Sequence, residues 1–362
     1  MSPMEEPTSQ RLNAVRQLLD TWEADGILVG SAPNRRWLSG FSGSAGWLLV
    51  TRDKALLATD FRYWDQAQAQ APNFTLHKLL RTSTAFDDFL AAEAQPLMVI
   101  EATHLTLSDF RRLRRQAHVT WKGVTSGIDS LRQIKSAAEI ARIRAAAAIT
   151  DEAMARVNDW ARPGVTEREL AWQLERNMRE QGADGMAFPV KVASGPNGAF
   201  PHHSPGDRVL QIGDAVIVDM GAALNGYCSD LTRTFHIGDE PQPRFWEVYN
   251  LVQQAQTNAL QTMKGGMSGQ SIDALARDVI DGAGHGDDFG HSLGHGIGLE
   301  VHEGPRLART AAEGVPPGSV VTVEPGIYLS GWGGVRIEDL VLVTADGVDI
   351  ISACPKQPII PV

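Results

Sequence analysis

An α/β domain followed by an α+β domain made of two related halves is the fold this chain predicts. Three observations carry the prediction. Strand and helix patterns alternate from about residue 9 to 122, as in an α/β layer. A stretch rich in Ala, Ile, Arg and Glu at 132–160 reads as one long helix opening a second domain. The remainder echoes itself, with PGVTERELAWQL (163–174) resembling GGMSGQSIDALA (265–276), and GDAVIVDMG (213–221) paralleling GSVVTVEPG (318–326). We therefore divide the chain into domains 1–124 and 125–362.

In chain order, RLNAVRQLLDTW places Leu12, Val15, Leu18, Leu19 and Trp22 at helical spacing. ILVG reads as a short buried strand. GWLLVTR and KALLATD read as two strands around a turn at Asp53, and QAQAQA as helix surface rather than linker. LMVIE is a strand and SDFRRLRRQA a helix. In the second domain Thr166 and Glu169 match a capping box. Leu170, Leu174 and Met178 form one face, and Gly182 is the stop. Each half then offers an acid at the end of a V-x-V strand, Asp219 and Glu324. Each also offers an acid four residues after a glycine: Asp230 after Gly226, and Glu338 after Gly334.

Composition narrows the function. The formal net charge of −10, with Lys and Arg scattered, argues against a nucleic-acid footprint. Cys228 and Cys354 are the two cysteines and form no CxxC pair. That argues against a disulfide scaffold or cysteine zinc site and fits a reducing compartment. MSPMEEPTSQ lacks a signal-peptide pattern. No apolar run approaches the roughly 20 residues that span a bilayer. The expectation is a soluble cytoplasmic protein with neither membrane nor nucleic acid as partner.

The acids carry the chemistry. Alternate side chains of a strand share a face, so an acid ending a V-x-V strand can point into a cleft whose other wall is apolar. Two halves facing each other would gather Asp219, Asp230, Glu324 and Glu338. His295, from GHSLGHGIGLEVHEGP, would join them. Four carboxylates with one imidazole are costly unless cations neutralise them. Hard oxygen ligands with one nitrogen suit Mn²⁺, and Co²⁺ or Zn²⁺ less specifically. Two bridged ions about 3.5–4 Å apart would turn a bridging water into a hydroxide nucleophile. The reading is a metal-dependent hydrolase.

The segments VDMGAALNGYCSDLTRTF, GHSLGHGIGLEVHE, TVEPGIYL and GVRIED resemble the pita-bread peptidases, the family of methionine aminopeptidase, prolidase and aminopeptidase P. SGFSGSAGWLLVT and TDFRYWDQA resemble the creatinase-type N-terminal domain, which points to the proline-specific branch. The likeness spans nearly the whole chain and is nearest to small bacterial Xaa-Pro aminopeptidases. It implies that Asp219 chelates one metal, that Asp230 and Glu338 bridge both, and that His295 and Glu324 complete the other site. Glu324 would also shuttle protons. By resemblance, His202 steadies the tetrahedral intermediate, with His203 the adjacent alternative, while His291 and His302 contact substrate and oxyanion. Val301, Tyr328 and Arg336 match the walls of a proline pocket. A homodimer is also implied, with Trp37, Phe41 and Trp47 either at its interface or in the core.

The expected activity is release of the N-terminal residue from peptides with proline second. The alternative is an Xaa-Pro dipeptidase (prolidase), in which a positive group closes the cleft on the proline carboxylate; Arg35, Arg36 and Arg62 are candidates. A non-catalytic binding module of the same fold is disfavoured by the five intact ligand positions.

Overall fold

The computed structural model describes residues 8–362. The first seven residues, within the segment read above as lacking a signal peptide, lie outside the described residues. Packing divides the chain into two units, one ending at Arg132 and the other Gln133–Val362. The division falls one short helix later than the 124/125 boundary expected from sequence.

The first unit runs α1 (Thr8–Thr21), β1 (Gly26–Val29), α2 (Ala32–Ser39), β2 (Trp47–Thr51), β3 (Ala55–Asp60) and α3 (Trp64–Gln70). It continues through β4 (Thr75–Leu79), α4 (Ala85–Glu93), β5 (Leu97–Glu101), α5 (Leu107–Leu113), β6 (Thr120–Val124) and α6 (Ile128–Arg132). Its six-stranded sheet has the order β4-β3-β2-β1-β5-β6. β1, β5 and β6 pair in parallel, while β2 is antiparallel to both neighbours. The turn at Asp53 is closed by the Thr51 hydroxyl donating to its carboxylate at 2.7 Å. α5 stops at Leu113, short of the predicted helix.

Trp37 and Phe41 are buried inside this unit, and the Trp47 ring stands 5.1 Å from that of Phe86. Trp37 and Phe41 are core residues, whereas Trp47 is partly buried against that core. Arg35 is buried and donates to the carbonyls of Gly30, Gly43 and Gly46. Its charge is spent on holding loop backbone.

The second unit opens with α7 (Ala137–Ala155), α8 (Val157–Trp160) and α9 (Glu167–Glu180). The single helix expected over 132–160 is thus interrupted. Residues 133–135 leave the helix in a turn and bend, and the Lys135 amide donates to the Gly318 carbonyl. The Lys135 ammonium also meets Glu303 at 2.8 Å. Ser136 then starts α7 with a capping box to Glu139.

The first half continues through β7 (Gly185–Met186), β8 (Lys191–Ser194), β9 (Ala215–Met220), β10 (Ala222–Leu224), β11 (Tyr227–Cys228) and β12 (Leu231–Ile237). The second half has α10 (Pro243–Thr262), α11 (Gly269–Gly282), β13 (Gly294–Gly296), β14 (Glu303–Leu307) and β15 (Val320–Val323). It ends with β16 (Gly326–Leu329), β17 (Gly333–Arg336), β18 (Asp339–Val343), β19 (Val348–Ile350) and β20 (Ile359–Ile360). The two large sheets are ordered β20-β12-β9-β8 and β14-β13-β15-β18-β19.

The internal echo is structural. Thr166 caps α9 and Ser268 caps α11. Each cap also forms an isolated antiparallel bridge, Thr166 to Val209 and Ser268 to Gly314. β9 pairs antiparallel with β12, and β15 pairs antiparallel with β18. The glycine echo is looser. Gly226 lies in the β10–β11 turn with φ +79°. Gly334 lies within β17, where a Cβ would come 2.2 Å from the Gly198 carbonyl oxygen.

Candidate metal centre

The V-x-V pattern works as the alternation of a strand requires. Val216 and Val218 of β9 pack with Leu170, Leu174 and Met178 of α9. Asp219 is therefore turned to the opposite face. In β15, Val321 and Val323 pack against α10 and α11, leaving Thr322, and Glu324 beyond it, on the other side. A fully buried valine contributes about 1.5–3 kcal/mol. A one-residue slip would expose these valines and bury the acids in their place, so packing fixes the register.

Asp230 and Glu338 immediately precede β12 and β18. The halves are joined here: the Glu338 amide donates to the Thr232 carbonyl at 3.1 Å. Thr234 exchanges hydrogen bonds with the Arg336 backbone at 2.8 and 3.0 Å.

All eleven residues singled out by sequence line one cavity of about 1120 Å³. Ligand atoms of Asp230, His295 and Glu338 lie within 4.8 Å of one another. His295 Nε2 is 3.3 Å from Glu324 and 3.8 Å from Asp230. Asp219 lies at the edge of this group, where one carboxylate oxygen meets both Arg336 Nη2 at 2.7 Å and Lys191 Nζ at 3.1 Å.

Three features of these side chains call for a cation. His295 Nδ1 is 3.1 Å from the Gly296 carbonyl and must donate to it, so in the neutral ring the Nε2 lone pair faces two carboxylates. Glu338 Oε2 accepts from Thr232 at 2.6 Å, while its buried Oε1 has no hydrogen-bond partner. Burial, reinforced by neighbouring carboxylates, pushes the Asp230 and Glu338 carboxyls upward, Glu338 to about 8. Burial opposes ionisation of Glu324 too, but His295, His291 and Arg336 outweigh it and hold that carboxyl below its ordinary value. Glu324 in turn raises His295 against the effect of burial. The donor set fits divalent cations.

The rest of the lining divides by role. His291 Nδ1 donates to the Ser292 carbonyl at 2.8 Å, and its Nε2 accepts from the Tyr328 hydroxyl at 2.8 Å. That hydroxyl accepts from Arg336 at 2.9 Å. Burial lowers His291 and raises Tyr328 to about 12, so both groups are neutral. His302 packs its ring 4.3 Å from His295. Burial and that neighbour lower its pKa. His202 is exposed to the cavity, whereas His203 turns away to Glu167 at 2.8 Å. The two adjacent histidines are thereby distinguished.

Several contributors were not foreseen. Buried Glu167, the first residue of α9, accepts from the Ser194 amide and hydroxyl, from Asn197, and from the Gly206 amide. It thereby ties both ends of the loop that carries His202. The Asp273–Arg277 pair on α11 does the same for the loop bearing His291. Arg277 donates to the Phe289 and His291 carbonyls, and Asp273 accepts from the Leu293 amide. The cations Lys191, Arg306 and Arg309 also line the cavity. The one available signal was Glu167 standing next to a recognised cap.

Comparison with known proteins gives the family and the fold. The pattern of Metallopeptidase family M24 matches residues 141–345, and that of the Creatinase/Prolidase N-terminal domain matches 11–134. The Uncharacterized peptidase YqhT of Bacillus subtilis is 39% identical, over 97% of this chain and 99% of its own. The solved Xaa-Pro dipeptidase from Bacillus anthracis superposes with a TM-score of 0.94 at 38% identity, over 98% of this chain and 99% of that one. The X-Pro aminopeptidase from Thermotoga maritima gives 0.88 at 35% identity, over 97% and 100%.

Proposed function

From membership of metallopeptidase family M24, to which this chain belongs, we propose that it is an Xaa-Pro aminopeptidase using two divalent cations, most naturally Mn²⁺. The chain is a hydrolase with a creatinase-type N-terminal domain and a pita-bread catalytic domain. The observation that carries the proposal is the cavity in which Asp219, Asp230, His295, Glu324 and Glu338 meet His202, His291 and His302. Asp219 would hold one ion, Asp230 and Glu338 both, and His295 with Glu324 the other. Bound cations supply Lewis-acid polarisation of a carbonyl and an acidified water.

The chain's own groups do the rest. The Xaa-Pro amide has no N–H, so recognition falls on the ring and the chain end. Val301, Tyr328 and Arg336 would wall the proline pocket, and the free α-amine would lie towards Asp219. His202 and His302 would donate to the developing oxyanion. Glu324, ionised and beside His295, would take a proton from the attacking water and deliver it to the leaving proline nitrogen. A cavity of about 1120 Å³ exceeds the needs of a dipeptide and favours longer peptides.

One observation favours the dipeptidase as a second reading. Arg306 and Arg309 line the cavity from within the catalytic unit and could bind a proline carboxylate, a part that sequence had offered to the first unit. Turnover of Ala-Pro, Ala-Pro-Ala and a longer Ala-Pro peptide with added Mn²⁺ decides between them. Aminopeptidase action requires the longer two to be cleaved at least as well as Ala-Pro; cleavage of Ala-Pro alone overturns it.

A further inference from the structure

Lys191 is a charged wall of the cavity that the reaction described above does not use. It lies on β8, the edge strand of its sheet. The β-ladder places Thr232, Asp219 and Lys191 in one row across β12, β9 and β8. Thr232 binds Glu338 at the inner end of that row, and Asp219 stands in the middle. Lys191 is thus one strand beyond Asp219, at the outer end of that row. Its Nζ stands 5.1 Å from the Phe188 ring centroid, and its side chain is 31% exposed.

Its pairing is redundant. The Asp219 oxygen it meets at 3.1 Å already accepts from Arg336 at 2.7 Å. Arg336 is further fixed by Tyr328 and Thr232. Asp219 is Lys191's one carboxylate partner among the described residues. Were Asp219 to hold a cation, the ammonium would lose that partner and be repelled from the inner site. A flexible stem with a compact charge can swing outward to meet an anion.

We propose that Lys191, with Phe188 beneath it, forms the pocket for the first residue of the substrate and selects an acidic side chain there. This rests on the Xaa-Pro reading, which puts the α-amine at Asp219 and the proline at Tyr328 and Arg336. Lys191 and Phe188, which line the cavity on the β8 side of Asp219, then flank the place of the first side chain. A glutamate or aspartate carboxylate pairs with the ammonium while its stem covers the Phe188 ring. Lysine or arginine at that place meets like charge.

The test compares Glu-Pro-Ala, Gln-Pro-Ala and Lys-Pro-Ala on the Mn²⁺-loaded enzyme and on Lys191→Met, with metal content measured in both. Glu and Gln differ in charge at nearly equal shape, so their kcat/KM ratio isolates the ion pair. The expected ratio in the wild type is about tenfold in favour of Glu, as for a partly desolvated pair, falling to about one in Lys191→Met. A wild-type ratio of one, or an unchanged ratio in the variant, overturns the proposal and leaves Lys191 a counter-ion of Asp219. Calorimetric binding of free glutamate against free glutamine supplies a readout independent of turnover. If no Xaa-Pro peptide is cleaved, the Xaa-Pro reading fails, and the calorimetric preference still decides the role of Lys191.

Discussion

Glu324 and Glu338 are both glutamates from a V-x-V-acid or Gly-x3-acid pattern, yet their surroundings drive them apart. His295, His291 and Arg336 keep Glu324 ionised, while burial among carboxylates raises Glu338 to about 8. The ionised carboxylate is free to accept a proton, and the raised one marks a crowding of acids that a cation would relieve. Glu324→Gln and Asp230→Asn are each expected to lower turnover of Ala-Pro-Ala by at least about a thousandfold, the scale of losing a group that acts only in the transition state. Near-normal rates from either purified variant would sink the assignment. The raised carboxyls also set a pH dependence for the metal-free protein. A group protonated when folded and ionised when unfolded favours the folded state below its unfolded value, and that advantage is lost as pH rises through the folded value. For Glu338 the window runs from 4.5 to about 8. Urea midpoints of chelated protein should fall across it, and added Mn²⁺ should flatten the fall; a midpoint that rises with pH contradicts the coupling. These acids were legible in sequence because order and spacing repeat. Lys191 was not, because its partner lies on a neighbouring strand that only folding supplies.

At the scale of elements, catalytic loops are held from below by buried acids on helices. Glu167 makes its hydrogen bonds to Ser194, Asn197, His203 and Gly206 from a fully buried position. Leaving such buried donors without a partner costs about 1–3 kcal/mol each. Glu167→Ala should therefore lower the urea midpoint, and Glu167→Gln, which retains shape and some bonds, should lower it less. Both should reduce kcat more than they raise KM if the loop carries an oxyanion donor rather than a binding wall. An unchanged kcat in a folded Glu167→Gln would detach the loop from catalysis. The same scale shows why one helix expectation failed. Residues 132–160 have helical composition throughout, but Lys135 is drawn to Gly318 and Glu303. The S-A-A-E capping box at Ser136–Glu139 marks the true start.

For the whole molecule, cations are expected to act as a clasp as well as a reagent. The proposed ligands come from both halves, so binding should favour the folded form by RT ln(1 + [L]/Kd), about 2.7 kcal/mol at a hundred times Kd. Thermal melts with and without chelator should differ by several degrees, and Asp230→Asn should shrink the difference; an equal shift in that variant would place the cation elsewhere. The fold was readable at this scale because the duplication is written in adjacent motifs. The close fit of β17 against Gly198 was not, since it depends on backbone meeting backbone. The stitches between Thr232 and Glu338, and between Thr234 and Arg336, join residues more than a hundred positions apart. Contacts of that separation carry a loop-closure cost that must be met before they stabilise the chain. A partly folded chain therefore carries no assembled cutting site, and the ability to cleave peptides becomes a certificate that folding is complete.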